Sequence, residues 1–223
     1  SDASEGGYTT IQHMADEVFY EEDRVPEVFA IDTAVSMIDV LLELENRLKV
    51  DPHSFSTVVV DSLTMYAEMM FSELEVAQQG KPDNRRLYGE LGSHLRYLMI
   101  TIHKMPVNVL WLALAKEGGE DHSLGGISIP GQTATKAPAR CDVWCHLEQA
   151  GGTKTRAPTY KMHFQNHGGF RAGHRFGDML PPVIENPSYR KIESALRLEP
   201  WTDRYVKKSK SRPKPQARKA AAR

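Results

Sequence analysis

The stretch that most restricts the fold is Thr57-Val58-Val59-Val60-Asp61-Ser62, a β-branched run closed by a carboxylate and a hydroxyl. Branching at Cβ stiffens χ1 and suits a pleated surface, so the run predicts a strand. Its apolar residues do not alternate with polar ones, which predicts burial on both faces, as in a parallel sheet. An aspartate just past the C-terminal end of such a strand lies at the rim where open α/β sheets bind ligands. The run therefore predicts an architecture and marks Asp61 as a candidate for chemistry.

The flanking patterns agree with a parallel centre. Thr33 predicts the cap of a helix running to about Leu48, with Ala34, Met37, Ile38, Leu41, Leu42 and Leu44 on one apolar face. From Leu63 to about Gln79, the spacing of Met65, Met69, Met70, Leu74 and Val76 predicts a second helix, broken by Gly80 and Pro82. A third spans about Leu87 to Lys104, with Leu91, Leu95, Leu98, Met99 and Ile102 buried, and stops at Met105-Pro106. Residues 109–115 form a second apolar strand, and residues 116–140 a long loop rich in Gly, Ser, Thr and Pro. Shorter strands are expected at 28–30, 142–147, 159–165 and 170–171, with a turn at 151–158 and a last helix from Ser188 to about Leu198. This order predicts an α/β fold with a mostly parallel central sheet ending in antiparallel strands.

Composition narrows the class. A chain of 223 residues with 40% hydrophobic and 26% charged residues suits one α/β domain, expected over residues 1–198. No apolar run approaches the roughly 20 residues of a membrane helix, and no secretory signal pattern opens the sequence. Two cysteines make no disulfide framework, so a reducing cytoplasm is the expected compartment. Charge is uneven. Residues 207–223 carry eight basic side chains and no acid, leaving 20 basic against 29 acidic residues, a balance of −9, in the rest. Residues 199–223 are therefore expected to be a basic tail with the composition of disorder, which either meets a polyanion such as nucleic acid or simply solubilises the chain.

Metal and nucleophile patterns are weak. Cys141 and Cys145 are spaced C-x₃-C with no second pair, and His146, His163, His167 and His174 match no ligand signature. Buried thiols and ordinary surface histidines are expected instead. No Ser-His-Asp or catalytic cysteine arrangement stands out.

Four places in order carry a resemblance. They are the turn Asp2-Ala3-Ser4-Glu5-Gly6-Gly7; the strand ending in Asp61-Ser62; Tyr88-Gly89-Glu90-Leu91 leading through a helix to the apolar strand that ends at Lys116; and a closing region. That last region holds Ile129-Pro130-Gly131, Cys141-Asp142-Val143-Trp144 and Arg171-Ala172-Gly173-His174-Arg175. Together they resemble the RecA-like ATPases encoded by bacteriophages, AAA-type or RecA-type nucleotide-binding proteins associated with single-strand annealing and recombination. The resemblance covers roughly Asp2 to Ile192 and implies a RecA-like P-loop NTPase core. The sequence departs from that family in one respect: no G-x-x-x-x-G-K-[ST] phosphate loop occurs in the 223 residues. The family's first strand and P-loop would precede Ser1, so the sequence is expected either to begin inside the domain or to have lost nucleotide binding.

The resemblance implies ATP and Mg²⁺ as cofactors and gives roles to particular residues. Asp61 would hold Mg²⁺ with help from the Ser62 hydroxyl, and Lys116 would end the strand that senses the γ-phosphate. Glu5 would polarise the attacking water, and Arg175 (with Arg171) would reach a nucleotide on a neighbouring subunit of a ring or filament. Gln132, Thr133, Lys136 and Arg140 lie in the loop that would contact single-stranded DNA, with Lys207, Lys208 and Lys210 adding charge from the tail. No aromatic residue sits in that loop, so DNA contact there would be electrostatic and indifferent to sequence. The implied function is a DNA-dependent RecA-like ATPase of phage recombination, repair or replication in the bacterial cytoplasm, with this chain impaired in nucleotide binding. The alternative is a non-catalytic single-stranded DNA-binding or oligomerisation module on the same scaffold.

Overall fold

In a computed structural model that describes residues 27–78, 83–119, 124–152 and 157–196, the β-branched run forms strand β1, Thr57–Val60. Helix α1, Ala34–Val50, precedes it and is capped by Thr33, whose hydroxyl accepts from the Ser36 amide while the Ser36 hydroxyl answers the Thr33 N–H. A second contact fixes the same helix start: the Glu73 carboxylate accepts from the Ala34 N–H at 3.1 Å. After β1 come helix α2, Leu63–Ala77, and helix α3, Asn84–His103, capped by Ser62 and Asp83 respectively. Strand β2, Asn108–Trp111, then returns parallel to β1 in register Thr57↔Asn108 through Val60↔Trp111. The helical crossover expected between parallel strands is thus present.

The described residues fall into two compact units, dividing between Cys141 and Asp142. In the first unit the core is built by helix periodicity. Met37, Leu41, Leu44 and Leu48 of α1 meet Leu63, Tyr66, Ala67 and Met70 of α2 and Leu91, Leu95, Leu98 and Ile102 of α3. Burial, reinforced by the charge of Glu73, pushes the Tyr66 phenol up to about 12, so it packs as a neutral ring.

Burial of β1 on both faces does not occur among the described residues. Val60 is buried, and Val58, Val109 and Trp111 pack on the helical core, but Val59 and Leu110 point away and are 52% and 50% exposed. The three helices contribute to one core, so they cover one side of the parallel pair.

The second apolar strand also pairs over a shorter length than residues 109–115. Beyond Trp111 the chain is held by single bonds: Leu112 N–H to the Val60 carbonyl at 3.0 Å, and Leu114 N–H to the Thr64 hydroxyl at 3.0 Å. Thr64 has no exposed surface. Replacing it with valine keeps the shape but strips the acceptor from the Leu114 amide. A loss of about 1–3 kcal/mol in denaturant unfolding is expected, with Thr64→Ser losing less because the hydroxyl survives. A loss for Thr64→Ser as large as that for Thr64→Val would mean that packing of the methyl matters as much as the hydrogen bond.

The expected long loop carries structure of its own. Strand β3, Ala115–Lys116, pairs antiparallel with β4, Gly126–Ile127. A short helix α4, Thr133–Lys136, and a 3₁₀ turn, Pro138–Arg140, follow. Ile129 joins the core and Ala137 is buried. The segment lies close on α3, where a Cβ on Gly92 would come within 3.2 Å of the Thr133 hydroxyl. Local sequence hid these elements because each is only two to four residues long.

The second unit is antiparallel. Strand β5, Val143–Trp144, pairs with β8, Gly173–His174, while β6, His146–Ala150, β7, Thr159–His163, and β9, Val183–Glu185, form a three-stranded sheet in the order β6-β7-β9. Helix α5, Tyr189–Ala195, is capped by Ser188. Phe164, Leu180, Ile184 and Leu196 make its core. No strand forms at 28–30 or 170–171; instead Phe170 closes a two-residue turn with His167. Strand β9 went unforeseen because Pro181-Pro182 directly precedes it, and proline reads as a strand breaker.

Candidate functional site

Asp61 follows β1 directly, at the C-terminal rim of the parallel pair, and is half-buried. Its surroundings are tied down on both sides. The Leu63 N–H donates to the Leu112 carbonyl at 2.8 Å, and the Ser62 hydroxyl accepts from the Met65 amide at 3.2 Å. The Asp61 carboxylate itself has no hydrogen bond and no ion pair among the described residues. A strand-end aspartate serving only as a cap would be engaged with a neighbouring loop. This one is not.

Such a group fits a magnesium ion, which takes one or two carboxylates and completes its shell with water and substrate phosphates. A triphosphate is a different matter. It needs a cradle of backbone N–H groups and a lysine, and the 223 residues contain no phosphate-loop pattern to supply them. The residues present therefore fit the metal and not the triphosphate.

The other expected site residues are dispersed. Ser62 is buried and its hydroxyl is engaged as the α2 cap. Lys116 is exposed in β3, opposite Gly126. Lys136 donates to the Gln132 side chain at 3.1 Å across one turn; Thr133 is partly buried beside Gly92, and Arg140 is exposed at the end of the 3₁₀ turn. In the second unit the Arg175 guanidinium lies 3.5 Å from the Asp142 carboxylate, while Arg171 is exposed. Glu5, Lys207, Lys208 and Lys210 lie outside the described residues.

The second unit brings together side chains whose spacing predicted nothing. His163 is not a surface histidine: it is 6% exposed, and its Nε2 lies 2.9 Å from the Glu148 carboxylate. The His167 ring stacks on it with centroids 3.9 Å apart and planes 4° from parallel. His146 stacks in the same way on Phe170, at 4.0 Å and 6°. The hydrogen bond from His163 holds the Glu148 carboxyl below its ordinary range, and desolvation, reinforced by the neighbouring His163, lowers His146. Nor are the thiols buried as expected, since Cys145 is exposed, Cys141 partly so, and they form no disulfide. The sequence signal for this cluster was alternation. His146-x-Glu148 and Lys161-x-His163 each put two polar groups on one strand face, but the β6–β7 register was needed to join them.

Among the described residues no helix is long and apolar enough to cross a membrane. No curated protein and no solved structure matches the chain. A family model described as an AAA domain matches residues 8–176. Because that match spans well over half of the sequence and takes in β1, Asp61 and the crossover to β2, the chain belongs to the AAA domain family, an AAA-type group of P-loop ATPase-like proteins.

Proposed function

We propose that this chain is the core of a RecA-like ATPase of phage type, in which Asp61 is the protein's ligand to the Mg²⁺ of bound ATP. The observation that carries the reading is the half-buried Asp61 carboxylate, placed at the end of a parallel strand and left without a partner among the described residues. The Asp61 carboxylate would hold the metal, and the metal would supply charge neutralisation at the phosphates. With no phosphate-loop pattern in these 223 residues, the chain by itself binds nucleotide poorly. Glu5 would activate water, Lys116 follows the sensing strand, and Arg175 would reach a nucleotide on a neighbouring copy in a ring or filament. The exposed Gln132, Lys136 and Arg140, with Thr133 beside them, meet the backbone of single-stranded DNA, helped by Lys207, Lys208 and Lys210. The setting is recombination, repair or replication in the cytoplasm of a bacterial host.

The absence of a phosphate loop from the 223 residues favours a second reading, a non-catalytic single-stranded DNA-binding or oligomerisation module. Thermal unfolding of this chain with and without Mg-ATP, beside titration with single-stranded DNA, separates the two. On the first reading Mg-ATP at about 100 times its Kd should stabilise the chain by about 2.7 kcal/mol. No response to Mg-ATP, with DNA binding that weakens steeply as salt rises, would establish the second reading.

A further inference from the structure

We propose that Glu148, His163 and His167 form a binding site for one divalent transition-metal cation of the Zn²⁺ type. The site lies wholly within the second unit and stands independently of the nucleotide reading. Its three ligand atoms lie within 4.8 Å of one another. Glu148 Oε2 is 2.9 Å from His163 Nε2 and 3.8 Å from His167 Nε2. A tetrahedral ion with bonds of about 2.0–2.1 Å spaces its ligands roughly 3.3–3.4 Å apart, a value between those two distances. The His167 ring is exposed and stacked parallel on His163, so it would have to turn out of that stack to share an ion with the other two.

Donor chemistry selects the ion. Two imidazoles and one carboxylate form a set that zinc uses with its fourth position open, whereas magnesium and calcium take oxygen shells. The ion proposed here is therefore chemically unlike the one assigned to Asp61.

The backbone brings the three residues together before any ion arrives. His163 ends β7, and the register His146↔His163 and Glu148↔Lys161 sets Glu148 diagonally across from it on one sheet face. His167 opens a two-residue hairpin closed by Phe170 N–H to the His167 carbonyl at 2.8 Å. Gly168 and Gly169 occupy its centre with φ +56° and +82°, a pair of positive angles that glycine adopts without steric cost. The Asn166 side chain accepts from the Ala172 N–H at 3.1 Å and pins the far side of the turn. An entry path exists, because Glu148 and His167 are at the rim of a cleft also lined by Gln165 and Pro182. The nearby Lys161 ammonium is drawn aside to Glu185, 3.9 Å away.

Calorimetric titration of the metal-stripped full chain with ZnCl₂, with MgCl₂ as the comparison, tests the site. One Zn²⁺ per chain should bind and raise the unfolding temperature, while Mg²⁺ should do neither at the same concentration. His167→Ala removes an exposed ring from a hairpin that its backbone keeps closed, and Glu148→Gln keeps a hydrogen-bonding partner for His163. Each should weaken Zn²⁺ binding by more than the roughly 10–100-fold that loss of an outer-shell partner costs. A Cys141→Ser/Cys145→Ser double variant should bind as the parent does. Absence of Zn²⁺ binding, undiminished binding by His167→Ala, or loss of binding in the cysteine variant would each overturn the assignment.

Discussion

Under the proposed magnesium role, Asp61→Asn is expected to cut Mg-ATP hydrolysis by about 10²–10³-fold, while leaving the stability of this chain within about 0.5 kcal/mol of the parent. The first figure is the size of effect found when one preorganised group facing developing charge is removed from an active site. The second follows from the structure, in which the Asp61 carboxylate has no partner among the described residues to lose. Asparagine matches aspartate in shape and lacks only the charge that a hard cation requires. Steady-state hydrolysis at saturating Mg²⁺, beside urea unfolding of the same variant, reads both quantities. A destabilisation above about 1 kcal/mol with hydrolysis intact would make Asp61 a structural residue and remove the support for the magnesium assignment.

Leu91→Ala is expected to destabilise the first unit by about 2–5 kcal/mol, the range for emptying a packed leucine site. Leu91 has no exposed surface and belongs to the core shared by α1, α2 and α3, so no side chain can move in from solvent to fill the space. A loss of this size is a large share of the 5–15 kcal/mol that typical domains hold, and partial unfolding near 37 °C should accompany it. Leu91→Met, which conserves volume, should cost less than about 1.5 kcal/mol. Chemical denaturation of both variants checks the pair, and similar losses would mean that the site tolerates truncation by collapsing.

The first unit was legible wherever periodicity was long. The apolar stripe of α1, the run Leu87, Leu91, Leu95, Leu98 and Ile102 on α3, and the β-branched block of β1 each repeat often enough to dominate local noise. The Thr33 cap was legible too, because it stands where an orphan amide needs an acceptor, whereas the Ser62 hydroxyl, expected beside a metal, caps α2 instead. What escaped was short or partnered at a distance. Strands β3, β4, β5 and β8 have two residues each, too few for any period, and exist only because another strand meets them. Residues 170–171 misled for a related reason: an aromatic before a basic residue suits a strand, yet two positive-φ glycines turn the chain just before it.

The candidate sites divide along the same line. Asp61 was visible because its chemistry is local, a carboxylate at the end of an apolar run, and the run fixes its place at the sheet rim. The Glu148, His163 and His167 cluster was not legible as a cluster, since alternation placed Glu148 and His163 on strand faces without joining them. His-x₃-His is the spacing of neighbours on a helix, and here a strand end and a hairpin turn bring the two rings together instead. By itself the sequence determined the helix–strand–helix–helix–strand core and the position of Asp61, since each follows from hydrophobic period and chain punctuation. Only tertiary structure decided that β1 shows one face to solvent, that Asp61 stands without a partner among the described residues, and that Glu148 meets two histidines. Those outcomes depend on which elements pair and pack, and alternation along one strand sets its faces without naming the strand it meets.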